Sequence, residues 1–395
     1  MAANNHRLLI KNGHIYDPGH NIDYYGDLYM FKDRIVETVP DDGTNIMIID
    51  AEGALVVPGL IDFHAHVGYG SSEAAFDADT ICLPNGVTTV VDAGTRGIAN
   101  MDQFAKDVIP SAFSTIRCLC NVSPVGITSM KFPEDINPKY FDEAQIQFLM
   151  EKYPGMIKGL KIRISKTILK DFDISGLEPL KKAVKLAENL GVFLAVHITD
   201  PPCEYSKILK CLRPGDVWVH PYQGMGCTII DNNGNLVEGV LEAKERGVIL
   251  DLAAARTNQN YVVAKKAIEQ GLVPDIYSTD MSRDSAYMHP VFSLLYVLST
   301  YRALGVSMEE LIKGCTSRPA QKLGMEKEIG SLLPGAKADV AIIRENTNER
   351  EYIDWFDNKI TGKCLLEPRA TIKNGRLVYL AMDAKQEVKH RLELV

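Results

Sequence analysis

The sequence predicts an α/β chain: a closed barrel of eight parallel strands alternating with helices, beside a small β-sandwich domain that both chain ends build. Three observations carry that expectation. Between residues 57 and 333, short apolar runs rich in β-branched residues alternate with amphipathic helical patterns, over the roughly 250 residues that such a barrel needs. Outside that span, at 1–56 and 334–395, the chain reads as short strands joined by turns. An Ile-Lys-Asn-Gly motif starting at Ile10 returns at Ile372, near the far end of the 395 residues, as if both ends belonged to one sheet system.

Taken in order, residues 8–10 and 14–16 read as two strands of a hairpin about Asn12-Gly13, the favoured two-residue turn. Further strands are expected at 27–31, 34–39 and 47–50, and at 339–343 after the turn-prone Pro334-Gly335-Ala336-Lys337. The barrel opens with Val56-Val57-Pro58-Gly59-Leu60-Ile61-Asp62-Phe63-His64-Ala65-His66. Its later strands are expected at 88–93, 115–122, 156–165, 193–199, 217–222, 248–253 and 275–280, with helical periodicity clearest at 177–190, 237–246 and 261–270. A doubly wound open sheet is the competitor, but no G-x-G-x-x-G opens a helix after the first strand.

Composition excludes several function classes. A net charge of -8 supplies no basic footprint for nucleic acid or anionic lipid. Hydrophobic content of 46% and charged content of 24% describe a soluble globular protein, and no apolar run is long enough to span a bilayer. The first seven residues lack the apolar core of a signal peptide. Eight cysteines are scattered without a C-x-x-C pair, and Cys118 and Cys120 share a strand face where they pack rather than bind metal. Reduced thiols and a cytoplasmic setting are expected.

In a strand, alternate side chains share a face, so Leu60, Asp62, His64 and His66 point one way and Ile61, Phe63 and Ala65 the other, against a neighbouring layer. Two imidazoles one pleat apart can reach a single metal ion. A parallel barrel places catalytic groups at the carboxyl ends of its strands. The fourth strand sets Lys161, Arg163 and Ser165 inward, opposite Leu160, Ile162 and Ile164. The fifth ends in His197, the sixth in His220 and the eighth in Asp280. Singly these have plainer explanations: a core histidine, a lysine reaching solvent, a helix cap. Together they do not, because several unpaired polar groups in one barrel would each cost several kcal/mol to desolvate. A metal centre removes that cost for all of them. Lysine is the odd member. Desolvation lowers its pKa from about 10.4, and the free amine can add carbon dioxide to become a carbamate able to bridge two cations. Lys158 and Lys166 point to the opposite face.

In this order on these strands, the residues resemble the amidohydrolase superfamily. The matching pieces are Pro58 to His66, Gly159-Leu160-Lys161, His197, His220 and Ser278-Thr279-Asp280, together with Gly335-Ala336-Lys337-Ala338-Asp339-Val340 in the flanking sandwich. Within the superfamily the chain looks closest to the dihydroorotase-like branch of amidohydrolase/deacetylase metallohydrolases, which cleave small acylated carboxylic acids. The resemblance implies a (β/α)8 TIM barrel with a binuclear centre, usually zinc. His64, His66 and Asp280 would hold one ion, and His197 and His220 the other. Carboxylated Lys161 and a hydroxide would bridge them. Two cations roughly 3.5–4 Å apart generate hydroxide near neutrality and polarise a carbonyl, while Asp280 shuttles the proton to the leaving group. Hydrolysis of an amide or ester is the reaction class.

Arg163, one pleat beyond Lys161, is placed either to pair with a substrate carboxylate or to make a structural salt bridge. Arg256, Arg283 and His289 are further candidates for substrate contact, and Tyr69, Arg96 and Gly224-Met225-Gly226 for the opening. Gly68-Tyr69-Gly70 departs from the H-x-H-x-R form of dihydroorotase proper, which argues against that activity itself. The alternatives are a nucleobase-type deaminase of the same superfamily and a non-catalytic scaffold. The expected partner is a small molecule, not nucleic acid or membrane, and relatives are commonly homo-oligomers.

Overall fold

The computed structural model describes residues 7–389, apart from 41, 42, 44, 71, 130, 133 and 172–175; His6 and His390 lie outside these residues. The chain begins with β1 (Arg7–Asp17), β2 (Ile22–Phe31), β3 (Arg34–Val36), β4 (Ile46–Asp50) and β5 (Leu55–Pro58). The barrel strands follow: β6 (Leu60–Ala65), β7 (Val87–Asp92), β8 (Thr115–Asn121), β9 (Ile157–Ile164), β10 (Phe193–Ile198), β11 (Val217–Val219) and β12 (Ile249–Asp251). The chain closes with β13 (Val340–Asn346), β14 (Arg350–Ile353), β15 (Lys359–Gly362), β16 (Leu365–Lys373), β17 (Arg376–Leu380) and β18 (Lys385–Lys389).

Among the described residues, nine strands from both ends form one sheet in the order β17-β16-β13-β5-β1-β2-β3, with β4 linking β1 to β18. Leu8, Ile10, Ile15, Met30, Val56, Ile342 and Ile372 meet in its core. The two Ile-Lys-Asn-Gly motifs part company here. Asn374-Gly375 is the expected two-residue turn, both residues left-handed, joining β16 to β17. Asn12-Gly13 is not a turn, and the hairpin expected there does not form. β1 runs straight through it, pairing with β2 on both sides of a register shift between Ile10 and Gly13. On its other edge β1 passes from β4 to β5, so partners on both flanks hold it extended and the left-handed Asn12 makes a bulge instead.

The barrel's seven named strands are parallel and ordered β12-β11-β10-β9-β8-β7-β6. The eighth, expected at 275–280, is not a regular strand. It bridges β12 through Asp251 and Ile276 and β6 through Ala65 and Met281, and Asp280 N donates to the His64 carbonyl at 2.7 Å. The circuit therefore closes. Helices cover the outside. In Glu178–Asn189, Leu180, Ala183, Leu186 and Ala187 share one buried face, the helical spacing that packs on a sheet. Leu160, Ile162 and Ile164 of β9 join that outer layer, as alternation predicts. The first strand departs from strict alternation. Ile61 and Phe63 pack with Leu119, Ala195, Val217 and Val219 in the cluster that fills the barrel below the histidines, not against an outer layer. A register irregularity between Asp62 and Ala65 breaks the period before His64 and His66 emerge above them. Among the described residues no helix is long and apolar enough to cross a membrane.

Candidate metal centre

His64, His66 and Asp280 bring one ligand atom each to within 4.8 Å of one another. Lys161 Nζ stands 3.0 Å from His64 Nε2, and His220 Nε2 stands 2.9 Å from His197 Nδ1. Five of the six side chains line one cavity of about 290 Å³ at the carboxyl ends of the strands, and His220 lies buried against His197 beside it. Local backbone places them. His220 (φ 65°) and Asp280 (φ 49°) close their strands in the left-handed region, which turns each side chain over the mouth at a cost of order 1–3 kcal/mol. Gly94 leaves the room that Lys161 occupies: a Cβ there would fall 2.5 Å from the lysine Cβ.

Outer hydrogen bonds set the tautomers. His66 Nδ1 faces Thr95 Oγ1 at 2.8 Å, and because that hydroxyl donates to Asp92 at 2.6 Å, the ring must supply the proton. His220 Nδ1–H donates to the Ala253 carbonyl at 2.8 Å. His64 Nδ1–H donates to Asp251 Oδ2 at 2.9 Å, whose other oxygen accepts from Ser278. In each ring the remaining nitrogen, Nε2, therefore presents a lone pair to the cavity. Burial is the main reason that the His64 and His197 imidazoles lie well below their ordinary pKa and His220 lies at about 3, so none of the three is cationic near neutrality. Burial also pulls Lys161 down to about 8, against the opposing pull of Asp280 and Asp251.

This donor set fits a cation centre. Three fixed lone pairs and a carboxylate oxygen converge with few protons among them, and His66 Nε2 faces Asp280 Oδ1 at 3.1 Å, acceptor against acceptor. Imidazole and carboxylate in that combination suit zinc and its neighbours.

Arg163 lines the same cavity but is held by Glu134, Nε to Oε1 2.8 Å, which is the salt bridge of the two expected alternatives. Tyr69, Arg96, Arg283 and His289 are not brought to the cavity. Tyr69 is 73% exposed and lines a separate recess with Asp77 and Val108. Arg283 is exposed beside Asp284, and His289 packs against Phe292 and Tyr296. Arg96 does not line the opening: it is buried, 2.9 Å from Asp92 and over the Phe104 ring. Their places in the chain follow ligand strands, but loop side chains turn as their own neighbours dictate. Met225 and Arg256 do line the cavity.

Sequence reasoning passed over Asp251, Thr95 and Asn258. Asp251 ends β12, although in the sequence it lies inside the apolar run 248–253. Asn258 donates to Asp280 Oδ2 at 3.0 Å and accepts from Thr199 at 2.7 Å. It sits on a loop with no periodic pattern to mark it.

A model of the Amidohydrolase family matches residues 55–378. A deacetylase of Agrobacterium fabrum is 29% identical over 325 residues, covering 82% of this chain and 79% of its own. A crystal structure of a dihydroorotase superposes with a TM-score of 0.84 at 26% identity, covering 95% of this chain and 98% of its own. One of an adenine deaminase gives 0.84 and 26%, covering 95% and 100%. With that match running from the sandwich through the whole barrel, the chain belongs to the amidohydrolase family of metal-dependent hydrolases.

Proposed function

We propose that the protein hydrolyses an amide or ester bond in a small, carboxylate-bearing acyl compound, at a centre of two divalent cations. The observation that carries this reading is the set of imidazole lone pairs aimed, by their outer hydrogen bonds, at one cavity that also holds a buried lysine amine. His64, His66 and Asp280 would hold one ion and His197 and His220 the other, with Lys161, carboxylated by CO2, reaching both. Such ions, zinc in the first instance, supply activated water near neutrality and a polarised scissile carbonyl.

The rest falls to the chain's own groups. With its pKa at about 8, Lys161 is in part an uncharged amine at neutral pH, the form that adds CO2. Asp251 and Thr95 keep the protons of His64 and His66 on the outer nitrogens. Asn258 holds one oxygen of Asp280, which leaves the other to take a proton from attacking water and deliver it to the leaving nitrogen or oxygen. The deacetylase name of the Agrobacterium fabrum relative supports an acyl group as the part removed, and the dihydroorotase-named structure supports a cyclic amide as a further bond type. The free cysteines fit a reducing, cytoplasmic setting.

The adenine deaminase neighbour favours a second reading, release of ammonia from a nucleobase. Lys161 on the fourth barrel strand weighs against it, since typical mononuclear deaminases lack that residue. One experiment separates the readings. Metal-loaded protein is offered N-acyl amino acids, acylated hydroxy acids, cyclic amides and adenine, with metal counted in the presence and absence of bicarbonate. We expect two ions per chain when bicarbonate is present, and acyl release. Ammonia from adenine, or full metal occupancy with no turnover of any compound, would refute the hydrolytic reading.

A further inference from the structure

The two-stranded ribbon β14–β15 reaches the mouth of the barrel. The turn between β14 and β15 is braced by buried Asp354, which accepts from Tyr261 N at 2.7 Å and from Phe356 N and Asn358 N at 2.8 and 2.9 Å. Phe356 lies against Gly224, where a Cβ would come within 2.4 Å of its ring, so the turn is keyed into the loop that follows β11. Gly224 N in turn donates to the Thr257 carbonyl at 3.0 Å, tying in the loop after β12. The same turn carries Trp355, whose ring centroid lies 5.9 Å from the Arg256 guanidinium carbon, inside the range of a cation–π contact.

Arg256 differs from the other cations at the mouth. Arg163 is matched by Glu134 at 2.8 Å and Lys166 by Asp200 at 3.3 Å. Arg256 lines the cavity and, among the described residues, makes no ion pair. Its backbone is held at φ 24°, a conformation that a non-glycine residue adopts at a cost and that clusters at ligand sites. A guanidinium kept in place by an aromatic face, and lacking an internal acid, is a receptor for a planar anion.

We propose that Arg256, presented by Trp355, receives the substrate's carboxylate, making the β14–β15 ribbon part of the specificity apparatus. Arg163 already meets Glu134 at its Nε, whereas Arg256 meets no carboxylate among the described residues. This inference deepens the hydrolytic reading and rests on it for the reaction, though not for the binding of the anion.

The test has two arms, so that failure of the one reading is distinguishable from failure of the other. In the first, acetate release from N-acetylalanine and from N-acetylalaninamide is compared in metal-loaded wild type, Arg256→Met, Arg256→Lys and Trp355→Ala. Arg256→Met should lower kcat/KM for the acid on the order of 100-fold, chiefly through KM, and for the amide by less than about threefold. Arg256→Lys should recover part of that loss, and Trp355→Ala should fall between wild type and Arg256→Met. Equal losses on acid and amide overturn the proposal. The second arm needs no turnover. The chain has two tryptophans; Trp218 is fully buried and Trp355 is 50% exposed. Succinate should change the emission of metal-loaded wild type, succinamide should not, and both Arg256→Met and Trp355→Phe should abolish the response. A wild type silent to succinate, or a response that survives in Arg256→Met, overturns the proposal whether or not the first arm finds a substrate.

Discussion

Among the described residues two lysines are fully buried, and they live in opposite circumstances. Lys373 ends β16 in the sandwich. Its ammonium meets Asp339 Oδ2 at 2.6 Å and Thr115 Oγ1 of β8 at 2.8 Å, pinning sandwich to barrel. Asp339 is further satisfied by the backbone N–H of Asn374. Lys161, at the barrel's mouth, has an imidazole nitrogen as its near neighbour, and no carboxylate within ion-pair distance among the described residues. Burial lowers the pKa of both amines, and Asp339 opposes the fall in Lys373 from direct contact, whereas Asp280 and Asp251 act on Lys161 from farther away. Equal burial thus leaves a charge-paired ammonium in one place and an amine without a carboxylate in contact in the other. The partner decides the chemistry, not the burial.

The largest expected effect comes from removing Lys161. Lys161→Ala should lose bound metal and on the order of 1,000-fold or more in kcat/KM, with partial recovery on adding a short carboxylic acid. Metal content and acyl release check it, and full activity without additive would end the assignment of Lys161. Lys373→Met should keep metal and kcat but lose about 3–5 kcal/mol of stability, because Asp339 is left buried without its cation. Denaturant unfolding measures this loss, and the double change Lys373→Met with Asp339→Leu should restore a good part of it.

A pH titration sharpens the contrast. The free amine of Lys161 appears as pH rises through about 8, so uptake of ¹³C-labelled CO2 by metal-free protein should climb across that range and level off above it. A depressed basic pKa also carries a stability sign. Below about 8 the lysine is charged in both folded and unfolded chains and the folded state bears the full penalty; between about 8 and 10.5 the unfolded chain binds more protons, so this group's contribution to stability rises with pH. A carbamate signal that survives Lys161→Ala would contradict the comparison. The smallest effect is expected at Asp251→Asn, which replaces the carboxyl group behind His64 and should weaken metal binding about 10–100-fold while the fold persists. Titration with a competing chelator reads this directly.

Much of the site was legible because a barrel strand closing in a single polar residue is a pattern on the page: His197, His220 and Asp280 each end an apolar run, and Lys161 has the inward parity of β9. Asp251 was passed over because it falls inside the apolar run 248–253, where the strand was expected to continue, whereas β12 ends at Asp251. The failures share a cause. Asn12-Gly13 and Asn374-Gly375 are the same dipeptide, yet one is a bulge and the other a turn, since only the strands lying alongside decide whether the chain must continue. Ile61 and Phe63 line the barrel interior because an irregularity in pairing, invisible in sequence, resets the alternation.

Residue type and order alone determined the alternation of strand and helix, the inward face of β9 and the polar strand ends, all of which follow from local geometry and apolar periodicity. Tertiary structure alone decided which proton each imidazole gives up, which arginine is already neutralised and which of two buried lysines keeps its charge. Those properties depend on atoms within about 3–4 Å that come from segments tens or hundreds of residues apart, and no local pattern encodes that distance.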